Sequence, residues 1–159
     1  MPARAEVDPS KLKRQLPYLY IAQVTRQDGD HFFKISLMGT ELVEILKQEG
    51  KDRYVRELDL GGFESSWRQS LLYALSTKAP TVAVDRVHMK TGLVVELEHL
   101  VMPLSDNDQD VDRFIGCLDF LGHDDAWIRE RLDHVDWSTV IDLELPKRLV
   151  ITNLNVPLE

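Results

Sequence analysis

The chain has 159 residues, of which 43% are hydrophobic and 29% charged, enough for one domain with a sizeable core. A formal charge of −8 disfavours a duplex-binding surface, which draws on clustered Lys and Arg. A single cysteine, Cys117, excludes an internal disulfide framework and fits a reducing compartment.

In chain order, PSKLKRQLP opens with Pro9 and Ser10 and closes at Pro17, which predicts a short N-terminal helix. YLYIAQVT, residues 18–25, is rich in β-branched and aromatic residues and reads as a strand. The Asp-Gly pair in RQDGD marks a hairpin turn. Beyond it, Phe33, Ile35 and Leu37 alternate with Lys34, Ser36 and Met38, the pattern of a strand with one apolar face. That strand ends abruptly at Gly39. Thr40 is placed to cap a helix carrying Leu42, Ile45 and Leu46 at helical spacing. GKDRYVRELDLGG is a connection with room for one more helical turn. In FESSWRQSLLYALSTKAP, Trp67, Leu71, Ala74 and Leu75 share one helical face, Ser66 and Gln69 match a capping box, and Pro80 ends the helix. TVAVDRVHM, LVVELEHLVMPLS and VDRFIGCLDFL, joined by KTG and DNDQD turns, predict an antiparallel meander. Ile128, Leu132 and Val135 align on a further helix over 124–135, and the tail LPKRLVITNLNVPLE is apolar enough to dock.

The order β-β-α-(α)-α-β-β-β is that of a PAS domain. LPYLYIAQV, FFKISLMGTELVEIL and LVMPLSDNDQDVDRFIGCL resemble a family of short, stand-alone bacterial PAS proteins, mostly alphaproteobacterial and of unknown ligand. The matching positions are Gly39 to Leu42, Pro103 to Ser105, Val111 to Arg113, and Ile115 with Gly116. The resemblance spans residues 12–121 and implies an α+β fold: a five-stranded antiparallel sheet with helices packed on one face. To this the sequence adds an N-terminal helix and a C-terminal helix and tail. The expected division is a 1–11 N-terminal extension, a 12–121 PAS-like domain, and a 122–159 C-terminal helix and tail.

Metal sites are disfavoured. Asp106, Asp108 and Asp110 have the odd spacing of a calcium loop, but Val111 and Cys117 stand where its Gly and bidentate Glu belong. His31, His88, His99, His123 and His134 show no zinc-ligand spacing and have no cysteine pair to join. Asp112 and Arg113 are placed for a local ion pair of small worth if exposed. Gly61-Gly62 lacks the Lys and Ser/Thr of a phosphate loop. Neither a Ser-His-Asp ordering nor paired carboxylates on a helix face appear, so an enzyme is not expected.

His99 stands out. In LVVELEHLVM it shares the apolar register of Leu93, Val95, Leu97 and Val101, opposite Glu96 and Glu98, so it faces the core. A core histidine with internal partners is the default for such a place; a donor to a polar ligand is the alternative. Trp67 on the long helix is core by default as well, and a ligand-closing residue otherwise. The candidate ligand pocket is Trp67, Leu71, Leu97, His99 and Phe114. The cofactor is unknown. Haem-binding PAS domains generally use a helical histidine, and none lies between Gly39 and Pro80; covalent flavin chemistry needs a helical cysteine, whereas Cys117 is on a strand and reads as a small hydrophobe.

The expectation is thus a stand-alone sensor or adaptor, acting through a small-molecule ligand or an unknown signalling protein partner, with no room for a kinase, cyclase or DNA-binding output. The alternative is a ligand-free module for dimerisation or scaffolding. Phe114 and Leu118 face one side of their strand and Ile115 and Cys117 the other, so the second face needs cover and a homodimer is expected. Partnership with nucleic acid or membrane is not. No apolar run reaches the roughly 18–20 residues that span a bilayer, and the first residues lack the apolar middle of a secretory signal; the expected location is cytoplasmic.

Overall fold

The computed structural model describes residues 7, 9–60, 63–89, 94–107, 109–120, 122, 135–143 and 147–148. Asp28 and Gly29, with φ of 53° and 86°, form the two-residue turn that matches strand twist. They join β1 (Leu19–Gln27) to β2 (Asp30–Met38). Phe33 and Ile35 face the core as their alternation requires, but Leu37 does not: it is 38% exposed. The cause is a register shift, since Ile21 pairs with Leu37 while Ala22 pairs with Ile35. Ser36 is the extra residue, its hydroxyl donating to the Ile21 carbonyl at 3.2 Å. A one-residue bulge swaps every later side chain to the other face, so Leu37 turns outward and Met38 packs on the core.

Gly39 turns the chain from β2 into α1 (Thr40–Leu46). Its φ of −68° is open to any residue; glycine is required by proximity. A Cβ here would strike the carbonyl oxygens of Pro17 and Leu16, and the Gly39 N–H donates to the Leu19 carbonyl at 2.8 Å. Gly39 itself is the N-cap, and no side chain caps the helix, so the capping role expected of Thr40 is not realised. Leu42, Ile45 and Leu46 are buried, and the helix ends at Lys47 in the left-handed region, φ 51°.

A 3-10 turn, Val55–Glu57, links α1 to α2 (Phe63–Thr77). Because α2 begins at Phe63, Ser66 lies inside the helix and is buried, rather than opening it as a capping box. The N-terminal segment forms 3-10 turns at Pro9–Leu12 and Leu16–Tyr18 in place of one helix.

β3 (Thr81–Met89), β4 (Val94–Leu104) and β5 (Arg113–Phe120) make the antiparallel meander. Two further strands follow, β6 (Val135–Leu143) and β7 (Lys147–Arg148), both pairing with β3. Val135, expected at the end of a helix, opens a strand; the rest of that expected helix lies outside the described residues. The five-stranded PAS-like sheet runs β2-β1-β5-β4-β3, and β6 and β7 extend it to seven strands.

The inner face carries the main core, in which α1, α2 and the Val55 turn pack over Tyr20, Phe33, Ile35, Leu97 and Phe114. On the outer face Leu19, Leu104 and Ile115 form a smaller cluster, touched by Val7 and Leu12 from the N-terminal segment. That segment supplies part of the cover the second face was expected to need. Among the described residues no helix is long and apolar enough to cross a membrane.

Substituting Gly39→Ala is expected to lower stability by about 1–3 kcal/mol, the usual range for overpacking, because the collision is with backbone that cannot swing aside. Urea unfolding measures it. An unchanged midpoint would mean that Leu16 and Pro17 do not dock against the strand-to-helix junction.

Candidate functional site

Tyr20 leaves β1 on the inner face, directly opposite Gly116 of β5. A Cβ at Gly116 would lie 2.5 Å from the Tyr20 ring; without one, the phenol crosses β5 and reaches β4. There its hydroxyl meets His99 Nε2 at 2.7 Å, both groups buried. Trp67 of α2 closes over the pair, edge-on to Tyr20 at 4.7 Å and to His99 at 5.8 Å between ring centres. Phe63, one turn earlier, packs on Trp67 at 6.0 Å.

One step along the same face, Ala83 of β3 pairs with His99 and Asp85 pairs with Leu97. Asp85 has no exposed surface, and the Ser66 hydroxyl donates to its Oδ1 at 2.7 Å. Helical spacing brings Ser66, Trp67 and Ser70 to one side of α2, the side facing Asp85 and His99. Four buried polar atoms in this cluster have no hydrogen-bond partner among the described residues: Trp67 Nε1, Ser70 Oγ, Asp85 Oδ2 and His99 Nδ1. Leaving a buried donor or acceptor unpaired costs about 1–3 kcal/mol per group, so the cluster favours any molecule able to pair with them.

Burial sets the protonation states. It pushes the His99 imidazole down to about 3, so the ring is neutral at ordinary pH. It pushes the Tyr20 phenol far up; the nearby Trp67 N–H opposes this in part, though it is not in hydrogen-bonding geometry with the phenol. Burial also raises Asp85, against the lowering effect of the Ser66 hydroxyl. A neutral phenol donating to Nε2 leaves the histidine proton on Nδ1. The reverse arrangement would strand both the phenol proton and the Nδ1 lone pair, so the first is preferred.

Of the residues singled out from sequence, Trp67 and His99 touch, and Leu97 and Leu71 line the same core without exposed surface. Phe114 is buried too, but it packs edge-on against Phe33 at 5.8 Å, four residues along β5 from Leu118, the partner of His99. Tyr20, Ser66, Ser70 and Asp85 were not anticipated. The signal for the serines was their spacing on the apolar face of α2.

Cys117 faces outward and is half-buried, less enclosed than its reading as a small core hydrophobe implied. Burial, then Asp119 and Glu98, raise its thiol, which keeps it protonated. Arg113 pairs with Asp106 at 3.1 Å, in place of the neighbour Asp112 expected from sequence; Asp112 accepts instead from the Asp106 N–H. On the outer face Leu16, Leu19, Ile21, Leu37, Leu104 and Ile115 line an apolar groove of about 330 Å³.

The sequence profile of the family described as PAS domain matches residues 1–119. No curated protein sequence matches the chain. Among solved structures, VqmA bound to DPO aligns with a TM-score of 0.51 and 15% identity, over 73% of this chain and 58% of that one. The Vibrio cholera VqmA–ligand–DNA complex gives 0.51 and 14%, over 74% and 52%. An RNA-binding Light-Oxygen-Voltage receptor gives 0.50 and 16%, over 84% and 38%. The chain therefore spans between 38% and 58% of the length of these proteins, and identities this low speak to the fold alone.

Two outcomes follow from the buried pair. Unfolded, His99 takes up a proton near 6.5; folded, only near 3. Its contribution to stability is therefore whole above about pH 6.5 and is lost as pH falls toward 3, by up to about 5 kcal/mol. Asp85 has the opposite sign, its share being lost as pH rises through its raised value. Urea midpoints from pH 8 to 4 should fall faster for the native chain than for His99→Gln; parallel curves would refute the neutral buried imidazole. Gly116→Ala should cost about 1–3 kcal/mol by overpacking and displace the Tyr20 ring. An unperturbed Tyr20–His99 hydrogen bond in the variant, read from the imidazole nitrogen shifts, would show that the phenol does not depend on the glycine.

Proposed function

The chain belongs to the PAS domain family, and on that premise we propose that it is a non-enzymatic sensor or adaptor whose interior binds a small molecule between α2 and the sheet. The observation that carries the reading is the set of four unpartnered buried polar atoms on Trp67, Ser70, Asp85 and His99. Buried polar groups are normally paired, and a convergence of exceptions in a core is the mark of a site that takes a partner. In this reading residues 12–121 are the sensing unit, with 1–11 and 122–159 as flanking segments.

The signal is a movement of α2 against β3 and β4. A ligand drives it only if it binds one arrangement better than the other, which the contacts from both sides of the interface favour. The absence of catalysis is supported by protonation: His99 stays neutral down to about 3, and Tyr20 is held far from ionising. Neither moves a proton at neutral pH. Output would pass through a signalling protein partner or a second copy. The charge of −8 supports a role without nucleic-acid contact, and the lone thiol a reducing, cytoplasmic setting.

A second reading, a ligand-free module for dimerisation or scaffolding, draws on the outer groove. Leu16 and Leu37 are 37% and 38% exposed there, beside Ile21 and Ile115, and a second copy laid on this face would cover them.

Native mass spectrometry of freshly purified protein, compared with the same sample after denaturation, tests both readings. A released small molecule is expected; a clean apo dimer would overturn the sensor in favour of the module, and a clean apo monomer would count against both.

A further inference from the structure

The two added strands are held differently from the rest of the sheet. β3 pairs with β4 in one unbroken register from Thr81 to His88. On its other side the pairing is fragmentary. β6 meets β3 at Asp85, Arg86, Val87 and Met89, and the register shifts between Asp85 and Arg86 and again between Val87 and Met89. β7 adds Thr81 and Val82. Between β6 and β7 the sequence places Glu144, Leu145 and Pro146, and a proline brings no N–H to a ladder. Each break removes bonds that keep a strand in place, so β6 and β7 open more readily than β4.

We infer that β6 and β7 form a detachable strap on the edge of β3, and that the uncovered edge takes the same two strands from a second copy of the chain. An uncovered β3 presents a row of open N–H and C=O groups, a template for another strand. A second copy brings that strand without new complementarity, because its pairs are those the strap already makes. The strap does not rest on the sensor reading.

The link to the strap has the length for such an exchange. Phe120 pairs with Leu97, Leu97 with Asp85, and Asp85 with Leu143. The chain thus leaves β5 and re-enters the sheet three strands away, about 14 Å at the usual spacing. Val135 pairs with Met89, four residues along β3 from that row, which makes the direct path about 20 Å. Residues 121–134 reach about 46–50 Å when extended. A link much longer than its span lowers the effective concentration of the strap at its own edge. A strand from outside then competes better.

The test titrates a fluorescein-labelled peptide of residues 135–148, VDWSTVIDLELPKR, into the unmutated chain, Val140→Pro and Ile141→Pro. Val140 and Ile141 pair with the consecutive residues Val87 and Arg86, and neighbours along a strand point their N–H groups to opposite sides. One proline therefore removes a bond to β3, while the other lies on the open side, where proline is tolerated. The expected result is saturable binding, about tenfold tighter to one proline variant than to the other two chains, a ratio set by one lost ladder bond. Equal binding by all three, or binding by none, overturns the strap. Amide hydrogen exchange on the unmutated chain decides the matter even if a variant does not fold. The alternate amides of β3 that face β6 should exchange at least about tenfold faster than those that face β4; matched rates overturn the strap. Sedimentation of the unmutated chain tests the second copy: a dimer that excess peptide returns to monomer is expected. A chain that stays monomeric at every concentration, or a dimer that the peptide leaves intact, overturns the exchange between copies.

Discussion

The hydrogen bond between Tyr20 and His99, 2.7 Å long and fully enclosed, is the constraint on which the interior depends. It links β1 to β4 by passing over β5, so three strands must hold their register for it to form. It demands glycine at position 116, because any Cβ there would occupy the space of the phenol ring. It also sets which nitrogen of His99 is left over. Two neutral groups in a low-dielectric interior gain more from one another than they would in water, and a broken pair would leave more unpaired atoms than it began with. Trp67 then has a platform of two rings to pack against, and α2 is seated by that packing.

The two faces of the sheet solve different problems. The inner face is closed by helices and tolerates polar groups only in partnership, which is why its unpaired atoms are informative. The outer face has a small apolar cluster and a partly open groove, where single exposed side chains are ordinary and only a contiguous patch carries meaning. The bulge at Ser36 connects the two. By inverting β2 after Ile35 it removes Leu37 from the inner core and adds it to the outer groove, while Met38 takes the inner place.

What was legible in the sequence was whatever rests on local chemistry. Asp28-Gly29 announced its turn because few other pairs adopt two positive φ values in succession. The alternation around Leu97, His99 and Val101 announced a buried face, and all three lack exposed surface. What was not legible depended on distant partners. Gly39 marked the abrupt end of a strand in the sequence, but its φ is ordinary and the reason for a glycine there is the carbonyls of Leu16 and Pro17, more than twenty residues earlier in the chain. Leu37 obeyed the alternation in sequence and broke it in space, because a bulge is a property of two strands and not one. Tyr20 gave no sign of its role, since the sequence does not reveal that its neighbour across the sheet is a glycine.

Asp85 is where the interior and the end of the chain meet. In a five-stranded sheet β3 would be an edge, with a row of open backbone groups. Here β6 and β7 pair with it, and the ladder loses its register between Asp85 and Arg86. The same residue that offers a free carboxyl oxygen to the interior therefore sits at an irregularity in the outermost pairing. A carboxyl buried at such a place holds its stability through the Ser66 hydrogen bond and through burial that favours its neutral form. The polar interior and the added strands are thus not independent features: they meet at one buried residue of β3.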